Sequence, residues 1–128
     1  MDLERLTKVI LVLVGLVNFF PMVGVTSAER LVSLYGIPTP SGDLLLLLQH
    51  RALLFGVLGG IMIFSAFYFH LRRAAVTMGL LSMLGFIVIL LASGEYGAKL
   101  WNIAVIDAVA SLALAVVAVS IYRNSDGT

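Results

Sequence analysis

The chain has 128 residues, 61% of them hydrophobic and 12% charged, with a formal net charge of +1 and a mean hydropathy of +1.10. A soluble domain carries about 25% charged residues, and a chain this short must expose much of its surface, so lipid rather than water is its solvent. So even a charge balance offers no basic field for nucleic acid, and the lack of cysteine removes disulfides, thiolate metal sites and thiol nucleophiles.

Apolar runs at about residues 6–25, 44–70, 74–93 and 100–122 each approach the roughly 20 residues a helix needs to cross about 30 Å of hydrocarbon. Continuous runs such as Phe86 to Leu91 lack the period of two that a membrane β-barrel requires. The predicted fold is therefore all-α, a membrane-embedded four-helix bundle forming a single domain over 1–128. In the first span Arg5 and Lys8 precede the apolar run, and Thr26-Ser27-Ala28 has the form of a leader cleavage site. The run continues to Val25 with Pro21 inside it, which predicts a permanent helix kinked at Pro21. Thr26 and Glu29 then have capping-box spacing, and Leu31, Val32, Leu34 and Tyr35 follow before Gly36 as a stop. This predicts a short amphipathic surface helix between the first and second spans. Pro38, Pro40, Ser41 and Gly42 make a turn, with Asp43 placed to cap the second span. Arg72 and Arg73 fall in a tight turn before the third. Glu95 and Lys99 read as solvated charges of the connection to the fourth, and Trp101 as an interfacial anchor.

Thirteen of the fifteen charged side chains lie in termini, connections or the first turns of helices. The two exceptions are Arg51 in the second span and Asp107 in the fourth. An unpaired ion inside a bilayer costs at least about 3 kcal/mol, so these opposite charges are expected to meet. Each lies eight residues beyond a helix start near Asp43 or Lys99, or roughly 12 Å below the same membrane surface. Asn18, Gln49, His50 and Asn102 gather near that level, and Glu29 belongs to a connection that would cover it. The pattern predicts a polar pocket in the half of the bundle away from the termini. No polar path crosses the other half, which argues against a channel, and helix one carries only Asn18 where small multidrug transporters carry a glutamate.

Gly56 and Gly60 form a GxxxG on the second span, widened by Gly59, while Ala104 and Ala108 open a stripe of small residues on the fourth. Both patterns predict close helix packing, within the bundle or between copies. His50 and His70 share one helix, about 30 Å apart, which excludes a di-histidine haem within one chain. A P-loop, a dinucleotide fingerprint and a nucleophile elbow are absent from the sequence. No cofactor or metal is called for, and the reading leans away from an enzyme.

The stretch Glu29-Arg30-Leu31, Leu34-Tyr35-Gly36-Ile37-Pro38 and Gln49-His50-Arg51-Ala52-Leu53-Leu54-Phe55-Gly56 resembles a family of small bacterial four-helix membrane proteins, loosely DoxX-like, over nearly the whole chain. The resemblance implies a four-helix membrane fold in a bacterial inner membrane and supplies no activity. Two functional readings stand beside each other. In one, the pocket binds a hydrophobic or amphipathic small molecule, lipid or quinone-like: Arg51 holds the polar head, Asp107 positions Arg51, His50 donates a hydrogen bond or proton, and Asn18, Gln49, Asn102 and Glu29 complete the lining. In the other, the protein is an accessory subunit or homo-oligomer, with Arg51 and Asp107 as an ion pair fixing register. Membrane lipid is a partner in both. Basic residues divide five to three, with Arg5, Lys8, Arg72, Arg73 and Arg123 on the side of the termini, so both termini are expected in the cytoplasm.

Overall fold

A computed structural model describes residues 2–126. It contains five α-helices: α1 (Leu3–Phe19), α2 (Ala28–Tyr35), α3 (Gly42–Phe67), α4 (Arg72–Ser93) and α5 (Ala98–Asp126), with 3₁₀ turns at Phe20–Val25 and Phe69–Leu71. No strand occurs among the described residues. Leu3–Val25, Gly42–Phe67, Phe69–Ser93 and Ala98–Asn124 are long and apolar enough to cross a membrane, as in a multi-pass membrane protein. The outer surface agrees with lipid as solvent: Leu81, Ile89 and Leu112 each expose 71% of their surface, a cost in water that hydrocarbon removes.

The helices begin and end for local reasons, some of which differ from the sequence expectation. Asp2 caps α1, its Oδ1 accepting from the Arg5 N–H at 2.8 Å. Pro21 does not kink a continuous helix. The α-helix stops at Phe19 and tightens into the 3₁₀ turn that holds Pro21, because proline offers no N–H and its ring crowds the preceding turn. The expected capping box does not form: Ser27 rather than Thr26 caps α2, its Oγ accepting from the Arg30 N–H at 3.3 Å, whereas the Thr26 hydroxyl donates back to the Val23 carbonyl at 2.7 Å. Gly36 ends α2 as expected, in the left-handed conformation (φ 64°) with its N–H on the Val32 carbonyl. Asp43 lies inside the first turn of α3 rather than at its cap, which is Ser41. A carboxylate there still faces the positive end of the helix dipole.

The four long helices form a closed ring. α1 packs on α3, α3 on α4 and α4 on α5, and α5 returns to α1 through the slightest of these contacts. The apolar core, centred on Leu11, Val14, Met62, Val76, Met83, Leu114 and Val117, fills the half nearer the termini. Gly15 and Gly59 set the α1–α3 crossing. A Cβ on Gly59 would collide with the Gly15 carbonyl and lie 2.6 Å from the Phe19 nitrogen, so backbone meets backbone there.

Arg72 closes the terminus side. Only 8% exposed, it starts α4 and donates from Nε to the Ser65 carbonyl at 3.0 Å and from Nη2 to the Ala66 carbonyl at 2.9 Å, satisfying acceptors at the end of α3. Its two terminal nitrogens also grip both carboxylate oxygens of Glu4 at 2.9 and 2.7 Å. Helices α1, α3 and α4 are thereby tied at one point.

Candidate functional site

Above the core, in the half away from the termini, the ring is not filled. A cavity of about 440 Å³ lies between α1, α2, α3 and α5, lined among others by Asn18, Leu34, Tyr35, Arg51, Phe55 and Asp107. Volumes of roughly 300–1,000 Å³ are typical of small-molecule sites. Leu16, Phe20 and Ile106 line the cavity yet are 50–62% exposed. The cavity therefore opens sideways, toward lipid, between α1 and α5.

Its roof is α2, which buries Leu31 and Tyr35. Gln49 donates from Nε2 to the Val25 carbonyl at 3.1 Å, fixing α3 to the end of the first span. The Lys99 ammonium donates to the Ser33 carbonyl at 2.6 Å, tying α2 to the start of α5. Lys99 is thus a structural tie rather than a solvated loop charge. Nothing in sequence spacing marks this bond, whose partners are 66 residues apart.

Arg51 and Asp107 both face the cavity, but the direct ion pair expected between them is not made: among the described residues no contact within 4.0 Å joins them. The guanidinium instead lies 5.3 Å from the Tyr35 ring centroid, 4.9 Å from Phe55 and 5.5 Å from Phe86. An arginine over aromatic faces gains roughly 0.5–2 kcal/mol per ring according to its desolvation. The rings therefore replace a carboxylate as the main compensation for this half-buried charge, and the guanidinium N–H groups make no hydrogen bond among the described residues. The Asp107 carboxylate is likewise without a hydrogen bond there. Burial pushes the Tyr35 phenol above its ordinary range, with Arg51 acting in the opposite sense and Asp107 adding to the rise. The Tyr35 hydroxyl is thus a neutral group at physiological pH.

Asn18 forms the floor. Its Nδ2 donates to the Val14 carbonyl at 3.0 Å and reaches the sulfurs of Met62 and Met83 at 3.9 and 3.7 Å, so these core methionines also accept weak hydrogen bonds. The Asn18 carbonyl oxygen makes none among the described residues.

Of the remaining expected site residues, Glu29, Gln49, His50 and Asn102 are not among those lining the cavity. Glu29, His50 and Asn102 are exposed, and Gln49 acts as the tie described above. Gly56 packs internally, its missing Cβ leaving room for the Met22 side chain, whereas Gly60 has nothing within 4 Å of where a Cβ would stand. The two glycines therefore do not present one surface to a second helix. Ala104 is buried and Ala108 exposed. Tyr35 was expected in the connection that covers the cluster, and the site residues that sequence reading missed are Phe55 and Phe86. Their signal was present only as aromatic residues in apolar runs, where core packing is the ordinary reading. Among the described residues no group of three or more His, Asp or Glu side chains is placed to hold a metal ion.

Comparison with protein families, curated proteins and solved structures finds no match to this chain.

Proposed function

We propose that this multi-pass membrane protein binds a hydrophobic or amphipathic small molecule of the bilayer, a lipid or a quinone-like compound, in the cavity beneath α2. The observation that carries the reading is Arg51. Its guanidinium is held by three rings at the wall of a 440 Å³ cavity, with its hydrogen-bonding capacity unspent among the described residues. Arg51 is half-buried within a membrane span, where donors facing hydrocarbon cost free energy unless something accepts from them, and a polar head entering sideways between α1 and α5 would do so. Asp107 faces the same space and would accept from that head. The five-to-three division of basic residues supports an orientation with both termini in the cytoplasm of a bacterial cell.

Native mass spectrometry of the protein released from lipid nanodiscs tests the reading. The parent should retain a bound amphiphile. Arg51→Ala should retain roughly tenfold less or worse, since hydrogen bonds to a charged group contribute about 1.5–3 kcal/mol. Equal retention by the parent, Arg51→Ala and Asp107→Asn overturns it.

A further inference from the structure

Taking the cavity as the binding site, on which this step rests, we infer that its ligand has an uncharged head that both donates a hydroxyl hydrogen and offers an oxygen acceptor, as monoacylglycerols and long-chain alcohols do. Fatty acids and other charged amphiphiles are disfavoured.

The inference follows from how the two ions are arranged. Arg51 and Asp107 line one cavity but do not touch, so a donor set and an acceptor set stand apart with space between them. Their charges cancel. An anionic head on Arg51 would bring its charge into a low-dielectric space already holding the Asp107 carboxylate, and a cationic head would meet Arg51, where water does little to screen the repulsion. The ring cage strengthens the case against an anion. Tyr35, Phe55 and Phe86 already offset the guanidinium charge while leaving its N–H groups able to donate in the guanidinium plane. What the cavity lacks is hydrogen-bond partners rather than charge. A hydroxyl-bearing neutral head supplies both, accepting from Arg51 and donating to Asp107, and the Asn18 carbonyl at the floor and the Tyr35 hydroxyl at the roof of the same cavity add neutral partners. The tail leaves past Leu16, Phe20 and Ile106 into the bilayer.

Three probes sharing one oleoyl chain isolate the head: monooleoylglycerol (neutral), oleate (anionic) and oleylamine (cationic), each titrated as a mole fraction of phosphatidylcholine nanodiscs that carry the full chain. Bound stoichiometry is read by native mass spectrometry. The parent should prefer monooleoylglycerol over either ion by roughly tenfold or more, the ratio set by one like-charge contact in a poorly screened site. Asp107→Asn, nearly isosteric, should swing the preference toward oleate by a similar factor, and Arg51→Gln should swing it toward oleylamine. Either variant suffices, with thermal unfolding checking that each is folded. Preference of the parent for oleate, or no swing in the folded variants, overturns the head assignment while leaving the amphiphile site standing. Failure of all three probes to bind the parent overturns the site itself, and the head assignment with it.

Discussion

Two arginines of this chain are taken out of water, and each is compensated differently. Arg51 is surrounded by rings and keeps its donors available, whereas Arg72 spends its donors on the Ser65 and Ala66 carbonyls and on Glu4. The first arrangement leaves hydrogen-bonding capacity facing a cavity, while the second engages four of the five guanidinium N–H donors and serves as a clamp. Arg72→Met should therefore destabilise the bundle by about 2–4 kcal/mol, because two helix-end carbonyls and a carboxylate lose their partner together. Glu4→Gln should cost under about 1 kcal/mol, since the Glu4 side chain is 58% exposed and water replaces much of what it loses. Reversible unfolding in mixed micelles measures both. Equal losses would show that the carboxylate, not the carbonyls, is what Arg72 holds.

At the scale of the elements, the small residues separate by the side of the helix on which they lie. Gly59→Ala forces a Cβ into the Gly15 carbonyl and the Phe19 backbone. Backbone cannot swing aside as a side chain does, so a loss of about 1–3 kcal/mol and a wider α1–α3 crossing are expected. Gly60→Ala meets open space and should gain up to about 1 kcal/mol from helix propensity. The same unfolding assay compares them, and a Gly60→Ala loss matching that of Gly59→Ala would place Gly60 against a second copy of the chain. The element hardest to foresee was the roof. Its existence and its Gly36 stop were legible in the amphipathic pattern of 28–36. Its attachment through Lys99 was not, because a lysine beside a loop carries no mark of which carbonyl it will reach.

For the whole molecule, four spans require both termini on one side of the membrane. With no native cysteine, single-cysteine labelling reads this directly. Leu3→Cys and Asn124→Cys should react with an impermeant maleimide from the same face, cytoplasmic by the positive-inside rule, and Gly97→Cys from the other. Labelling of Leu3→Cys and Asn124→Cys from opposite faces would mean that one apolar helix does not span. The bundle is also asymmetric along its axis. Its terminus half is packed by a continuous core and clamped by Arg72, and its other half is open and roofed. A site that takes a molecule from the bilayer needs both: rigid packing to hold the polar groups in place, and a slighter contact, here between α1 and α5, through which a tail can pass.

Solvent class, helical architecture, the four spans, the surface helix and the two intramembrane ions were all determined by the sequence itself, because hydropathy, chain length and capping are local properties read along a line. Equal depth for Arg51 and Asp107 followed too, since rise per residue is constant. Only the tertiary structure decided what those ions face. Rotation of each helix about its axis, its tilt and the closeness of backbones are collective outcomes of packing. They turned Arg51 toward Tyr35, Phe55 and Phe86 instead of onto Asp107, buried Gly59 while leaving Gly60 open, and left the two ions apart in the expected pocket where linear spacing predicted a salt bridge.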